Sequence, residues 1–328
     1  MANLSLNIPT GEQYQEEFLL RWKLVKPIKL KFFLLSNNWQ ANLEFDFGKE
    51  YDVNFSGLIQ KLKGIDTVVF VGGLSTLLEG EEMPVSYPGF KGGDRTNIEL
   101  PAVQRKCLKA LKDAGKKVVF VNCSGSAIAF TPETESCDAI LQAWYGGESG
   151  GQAVADVLFG DYNPSGKLPS SFYKNSDKLG DFEDYSMKGR TYRYTTDVLF
   201  PFGFGLNYSK FNIGSAKLSK VNINSDESIE LTVPVTNSSK RDGTEIIQVY
   251  VHKLNDTKDG PLKTLRGYKR VDIKAGKIQN VIIDLPSSSF EFYDWDVMGM
   301  NVTSGEYEVY YGNSSDNKDL KMTKVVIQ

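Results

Sequence analysis

The spacing of apolar residues changes three times along the chain, and each change marks a region. In residues 1–50, Val25–Phe33 (VKPIKLKFF) and Ala41–Phe47 (ANLEFDF) alternate with the period of two expected of half-buried strands. Two strands cannot build a core alone, so this pair is expected to pack on a neighbour. From residue 51 the spacing becomes helical at Phe55–Leu62. Short apolar runs follow at Asp66–Val71, Val118–Asn122 and Cys137–Trp144, with helical segments near Pro101–Ala114 and Gln152–Phe159. Pro101 at the start of one helix and Gly115 just past its end fit the usual asymmetry of helix termini. Strands alternating with helices predict a mostly parallel sheet covered on both faces. Residues 160–208 lose all periodicity and are rich in Pro, Gly and Tyr, which predicts an ordered strap. Ile229–Val235, Glu245–Val251, Leu265–Ile273, Val281–Leu285 and Tyr307–Tyr311 then read as short strands separated by turn residues. The predicted fold class is α/β plus all-β. A β-rich piece spans 1–50, an α/β sandwich 51–210, and an immunoglobulin- or fibronectin type III-like β-sandwich 211–328.

The stretch Ile65–Gln104 organises the α/β region. A strand ending in Gly72-Gly73 is followed by some two dozen residues before the next helix, whereas a handful is usual for such a connection. Loops of that length are functional or disordered, and ligands in open α/β sheets bind beyond the carboxyl ends of strands, where this loop lies. It carries Glu79, Glu81, Glu82, Asp94 and Arg95. Clustered carboxylates raise one another's pKa, which suits a general acid; a solvated acidic loop would have the same composition. Gly92-Gly93-Asp94-Arg95 reads as a tight turn with an adjacent ion pair, and Asp94 could cap the helix region.

Composition narrows the chemistry. At 328 residues the chain is long enough for about two domains, and 38 basic against 41 acidic residues (net −3) lack the basic footprint of a nucleic-acid binder. No apolar run approaches the length of a membrane span. The opening MANLSLNIPTGEQYQEEF has neither the basic nor the apolar part of a signal peptide, which leaves a cytoplasmic protein or a piece of a larger one. Cys107, Cys123 and Cys137 are odd in number, form no CxxC and read as buried thiols. His252 is the only histidine, so neither a metal site nor a Ser-His-Asp triad is expected, and acid–base chemistry falls to carboxylates. No cofactor is expected: GGESGG (146–151) precedes a helix as a phosphate cradle would, but matches neither nucleotide-binding pattern. Tyr185, Tyr192 and Tyr194, with Phe182 and Arg193, could stack on a sugar or simply pack.

The segments VVFVGGLSTLLEGEEMP, GFKGGDRTNIELPAVQ, KKVVFVNCSGSAI, AILQAWYGGESGGQAVADVLFGDYNPSGKLP, GRTYRY and LFPFGFGLNYS occur in this order, and together resemble glycoside hydrolase family 3, in its β-xylosidase/β-glucosidase branch. VTNSSKRDGTEIIQVYV, PLKTLRGYKRV and SGEYEVYYGNSS resemble that family's fibronectin type III-like C-terminal domain. The resemblance covers about residues 50–328. Residues 1–50 resemble the tail of a sugar-binding β-domain inserted in some members. It implies a retaining glycosidase acting on oligosaccharides. In that family an aspartate nucleophile sits on an N-terminal (β/α)8 barrel, and an acid/base glutamate sits on a loop of the α/β domain. The loop glutamate after a glycine corresponds best to Glu81, with Glu79 and Glu82 as alternatives. Asp94 and Arg95 correspond to an Asp-Arg pair that binds substrate or braces the loop. No segment resembles the barrel, so the chain is expected to be a C-terminal portion, inactive alone, with an exposed sheet edge that makes it marginal or oligomeric. The parent enzyme is expected to be secreted or periplasmic. A non-catalytic carbohydrate-binding module and, more remotely, a nucleotide binder using GGESGG are the alternatives.

Overall fold

The computed structural model describes residues 16–20, 28–33, 53–75, 78–79, 85–92, 94–255 and 260–328. It divides into two compact units, 1–155 with 173–177, and 156–172 with 178–328.

The first unit is built on one sheet with strand order β1 (Glu16–Leu20), β2 (Ile28–Phe33), β3 (Thr67–Gly73), β7 (Lys117–Cys123), β8 (Ala139–Gln142). The strands β3, β7 and β8 run parallel, as their near-continuous apolar runs require, whereas β1 and β2 join antiparallel and make the sheet mixed. The expected open edge at β3 is therefore paired with β2 along Lys31–Phe33. The expected strand at Ala41–Phe47 lies outside the described residues. Helices α1 (Ser56–Lys61) and α2 (Ala102–Asp113) follow the predicted segments. The α2 face made by Cys107, Leu108 and Leu111 is fully buried. Phe70 of β3 and Phe120 of β7 meet at 5.7 Å, and Phe130 closes edge-on against Phe120 at 5.9 Å.

The long loop after β3 has structure of its own. Ser86–Tyr87, Phe90–Lys91 and Asp94–Arg95 form a small antiparallel meander, β4–β6. The helix α3 (Thr131–Ser136) and its partner α2 are tied by Arg105, whose Nε donates to Glu133 Oε1 at 2.8 Å. Glu133 is 1% exposed, and burial raises its pKa while Arg105 opposes the rise. α4 (Gly150–Phe159) starts within the glycine-rich GGESGG run.

The second unit is a β-sandwich. One sheet joins β10 (Lys217–Leu218), β12 (Ile229–Asn237) and β15 (Ile278–Leu285), with β9 (Phe211–Ile213) also on β12. The other runs β11 (Asn222–Ile223), β19 (Leu320–Ile327), β18 (Gly305–Gly312), β13 (Gly243–Lys253), β14 (Thr264–Ile273). Alternate residues such as Leu231, Val233 and Val235 of β12 face Ile247, Val249 and Val251 of β13 in one core. The strap before it is held by buried polar contacts: Lys167 pairs with Glu245 at 2.8 Å, and Gln248 donates to the Gly203 carbonyl at 3.0 Å.

Candidate active site

Three parallel strands end side by side at Gly73, Cys123 and Gln142, and the segments leaving them supply the polar groups of the site. The root of the loop is fixed by glycine and by one amide. Gly73 has φ +122°, and a Cβ there would lie 2.1 Å from the Cys123 carbonyl oxygen, so only glycine fits. The next residue, Leu74, donates to that carbonyl at 2.8 Å. Gln104 of α2 is 4% exposed; its amide accepts from the Gly73 N–H and donates to the Gly73 carbonyl, each at 2.8 Å. One side chain thus satisfies both backbone groups where the strand gives out. Beneath lies a second amide set: buried Asn122 Nδ2 donates to Ser124 Oγ at 2.8 Å and to Gln142 Oε1 at 2.7 Å.

From this root the chain turns, with the backbone N–H groups of Leu78 and Glu79 donating to the Ser75 carbonyl at 2.8 and 3.1 Å. Leu78 is buried and anchors the turn. Glu79 then meets a hydroxyl donor at each carboxylate oxygen. Ser126 Oγ donates to Oε1 at 3.0 Å, and the Tyr145 hydroxyl donates to Oε2 at 2.5 Å. Burial, followed by the bond to Glu79, raises the Tyr145 pKa strongly, so the phenol stays a donor through the working pH range.

Arg95 supports the same cluster from β6. Its Nη1 donates to Ser126 Oγ at 2.8 Å and to the Ala127 carbonyl at 3.0 Å, and its Nε donates to the Asn97 carbonyl at 3.1 Å. Burial lowers its pKa, while Glu79, Glu99 and Tyr145 act in the opposite direction. The neighbouring Asp94 points the other way along the strand and is exposed. Among the described residues Arg95 forms its contacts with Ser126, Ala127 and Asn97, and the expected Asp94–Arg95 ion pair is not among them. The expected Asp94 helix cap is not made either, because Pro101 occupies the N-cap of α2 without a side-chain cap. Glu99 accepts from the Ser176 N–H at 2.8 Å and from its hydroxyl at 2.6 Å, fixing the chain that leads into α2.

Of the predicted glutamates, Glu79 is placed as above, and Glu81 and Glu82 lie outside the described residues. Tyr145, Ser126 and Gln104 escaped the sequence reading as site residues, because each partner is 31 to 66 residues from the group it holds. Among the aromatic candidates, Tyr192 stacks on Phe202 at 4.5 Å, meets Tyr250 edge-on, and its hydroxyl accepts from the Leu265 N–H at 3.1 Å. It is a packing residue. Phe182 and Tyr185 are more than 90% exposed.

Residues 15–208 match the glycosyl hydrolase family 3 C-terminal domain, and residues 245–315 match a fibronectin type III-like domain. The chain is 55% identical over 289 residues to a xylan 1,4-β-xylosidase of Xylanibacter ruminicola, covering 88% of this chain and 33% of that protein. It is 34% identical over 270 residues to a periplasmic β-glucosidase of Salmonella typhimurium, covering 78% of this chain and 34% of that protein. Among solved structures, a β-glucosidase from Listeria innocua in complex with glucose superposes with TM-score 0.70 at 27% identity, over 87% of this chain and 39% of that one. The chain spans about a third of the length of the curated relatives it matches.

Proposed function

Since the chain belongs to glycoside hydrolase family 3, we propose that it is the part of a retaining exo-β-glycosidase that carries the acid/base glutamate. That residue is Glu81, and the enzyme removes terminal β-linked xylose or glucose from oligosaccharides. The nucleophile belongs to an upstream barrel, and this chain alone is inactive. The relatives' names, a xylan 1,4-β-xylosidase and a β-glucosidase, support the substrate class; the relative named as periplasmic supports an exported parent enzyme.

The observation that carries the choice among the glutamates is the double hydroxyl clamp on Glu79. A general acid must carry a proton and release it to the glycosidic oxygen. Protonating either Glu79 oxygen would set its O–H against a hydroxyl that already donates there. Glu81, two residues on, follows the family's glycine-glutamate order. Asp94 and Arg95 divide their roles: Arg95 braces the loop, and exposed Asp94 is left to meet substrate. The reading as a non-catalytic binding module loses support because Tyr192, one of the two tyrosines of its stacking surface, is spent on packing.

The reaction then runs in two steps. The upstream carboxylate attacks the anomeric carbon as the Glu81 carboxyl gives its proton to the departing oxygen, leaving a glycosyl ester. Glu81, now a carboxylate, takes a proton from water; the resulting hydroxide attacks the anomeric carbon and frees the nucleophile. The two carboxyl groups must stand about 5–5.5 Å apart for this chemistry. In the enzyme completed with its upstream segment, Glu81→Ala is expected to lose hydrolysis, and azide should restore turnover with a β-glycosyl azide as product. Azide rescue in Glu82→Ala instead would move the assignment by one residue.

A further inference from the structure

We propose that Arg193 and Arg266, both in the second unit, form a separate binding site for the carboxylate of an acidic sugar, a uronic acid residue of a polysaccharide. The choice of a sugar as the bearer of that carboxylate rests on the β-glycosidase reading. The short helix α5 (Thr191–Tyr194) lies along the start of β14. There the Leu262 N–H donates to the Arg193 carbonyl at 2.6 Å, and the Leu265 N–H donates to the Tyr192 hydroxyl at 3.1 Å. Both arginines stand where the backbone departs from regularity. Thr191, a β-branched residue that opens the turn to Arg193, takes φ +54°. On β14, Leu265 pairs with Tyr250 and Gly267 with Val249, which leaves Arg266 as the extra residue of a bulge. Bulges re-aim a side chain out of the regular alternation of a strand.

The two guanidiniums lack what half-buried charges require. Arg193 Nε and Arg266 Nε are each buried with no hydrogen-bond partner, as is the hydroxyl of Thr264 on the same strand as Arg266. Arg266 donates to the Glu291 carbonyl and lies over the Phe292 ring, 5.3 Å from its centroid. Arg193 lies over the Tyr194 ring at 5.6 Å. These contacts fix both planes without bringing a full negative charge to either. Among the described residues neither arginine forms an ion pair. Burial lowers the Arg266 pKa and the neighbouring Arg193 lowers it further, against the fields of Glu291 and Tyr192. A desolvated charge without a counter-ion is costly, and a second like charge adds to the cost, so a bound anion relieves both. Planar N–H donors in a fixed fork match a carboxylate or a phosphate through paired bonds. Of the two, the carboxylate is the group that uronic acids carry within polysaccharides.

The test titrates the 328-residue chain with sodium glucuronate at low ionic strength, where charge pairing is least screened, beside glucose and sodium acetate. Glucuronate should bind about tenfold more tightly than either, as one added bond to a charged group allows, and should raise the melting temperature. Arg193→Met and Arg266→Met should each weaken glucuronate binding by about tenfold and abolish its effect on melting. Arg266→Lys keeps the charge and loses the fork, so it should weaken binding too, and it serves where a methionine variant does not fold. Glucuronate binding no tighter than glucose, or unchanged in the arginine variants, would overturn the inference. Acetate binding as tight as glucuronate would overturn the sugar as the ligand. Glucuronate bound by this chain but not by the chain joined to its upstream segment would mean that an acidic side chain of that segment fills the site, which also overturns the inference. None of these readouts uses hydrolysis, so a failure here is distinct from a failure of the glycosidase reading.

Discussion

Replacing Gln104 by methionine tests whether the root of the loop is held as described. The thioether keeps the length of the side chain and removes both of its hydrogen bonds, which orphans the N–H and carbonyl of buried Gly73. At ~1–3 kcal/mol for each orphaned group the pair comes to roughly 2–6 kcal/mol. Burying a thioether where an amide stood returns part of this, so the expected net loss is about 3 kcal/mol. For a unit of this size that corresponds to a fall of about 6–12 °C in the melting temperature of its transition. Hydrogen exchange read by mass spectrometry over residues 67–79 localises the effect, since β3 and the turn that follows should lose protection first. In the completed enzyme the same variant should lower kcat more than it raises KM, because the loop proposed to carry the acid/base glutamate springs from Gly73. A Gln104→Met protein with unchanged melting and unchanged protection over residues 67–79 would refute the reasoning.

Two further predictions concern titrating groups. Burial lifts both the Cys107 and the Cys137 thiols to about 12, with Glu133 and Asp138 adding to the shift at Cys137. At pH 8 in the native protein both should resist alkylation, and the partly exposed Cys123 should be labelled first when sites are mapped by mass spectrometry. At Glu99, burial alone would raise the pKa, but the two bonds from Ser176 prevail and hold it below its ordinary 4.5. Such a carboxylate contributes stability above its unfolded pKa and loses it as pH falls through the lower folded value. Glu99→Gln should therefore flatten the fall in urea midpoint between pH 6 and pH 3, and an unchanged slope would count against the Ser176 contacts as its source.

The fold was legible wherever burial is periodic. β3, β7 and α2 announce themselves because Val68–Phe70, then Val118, Phe120 and Val121, and the Cys107, Leu108 and Leu111 face are buried with the spacing of their elements. β12 and β13 do so by strict alternation or continuous burial. α3 escaped, since TPETES has no apolar face and is held by Glu133 on Arg105 of another helix. The meander β4–β6 escaped because two-residue strands have no period to read. β19 was missed, because exposed Lys321, Met322 and Lys324 interrupt its first half and burial resumes only at Val325 and Ile327. In the site, the acidic loop and Arg95 were visible by composition and resemblance. The partners that give Glu79 its role were not: Tyr145 is 66 residues away, and only its place past the end of a strand marked it.

The most direct test of the half-site account is hydrolysis of p-nitrophenyl β-xyloside and β-glucoside by this chain alone and by the same chain joined to its upstream segment. The account predicts no turnover by the chain alone, turnover of both glycosides by the joined protein, and a large loss of that turnover in Glu81→Gln. Turnover by the chain alone, at a rate that survives purification, would mean that a nucleophile lies within these 328 residues and would contradict the account.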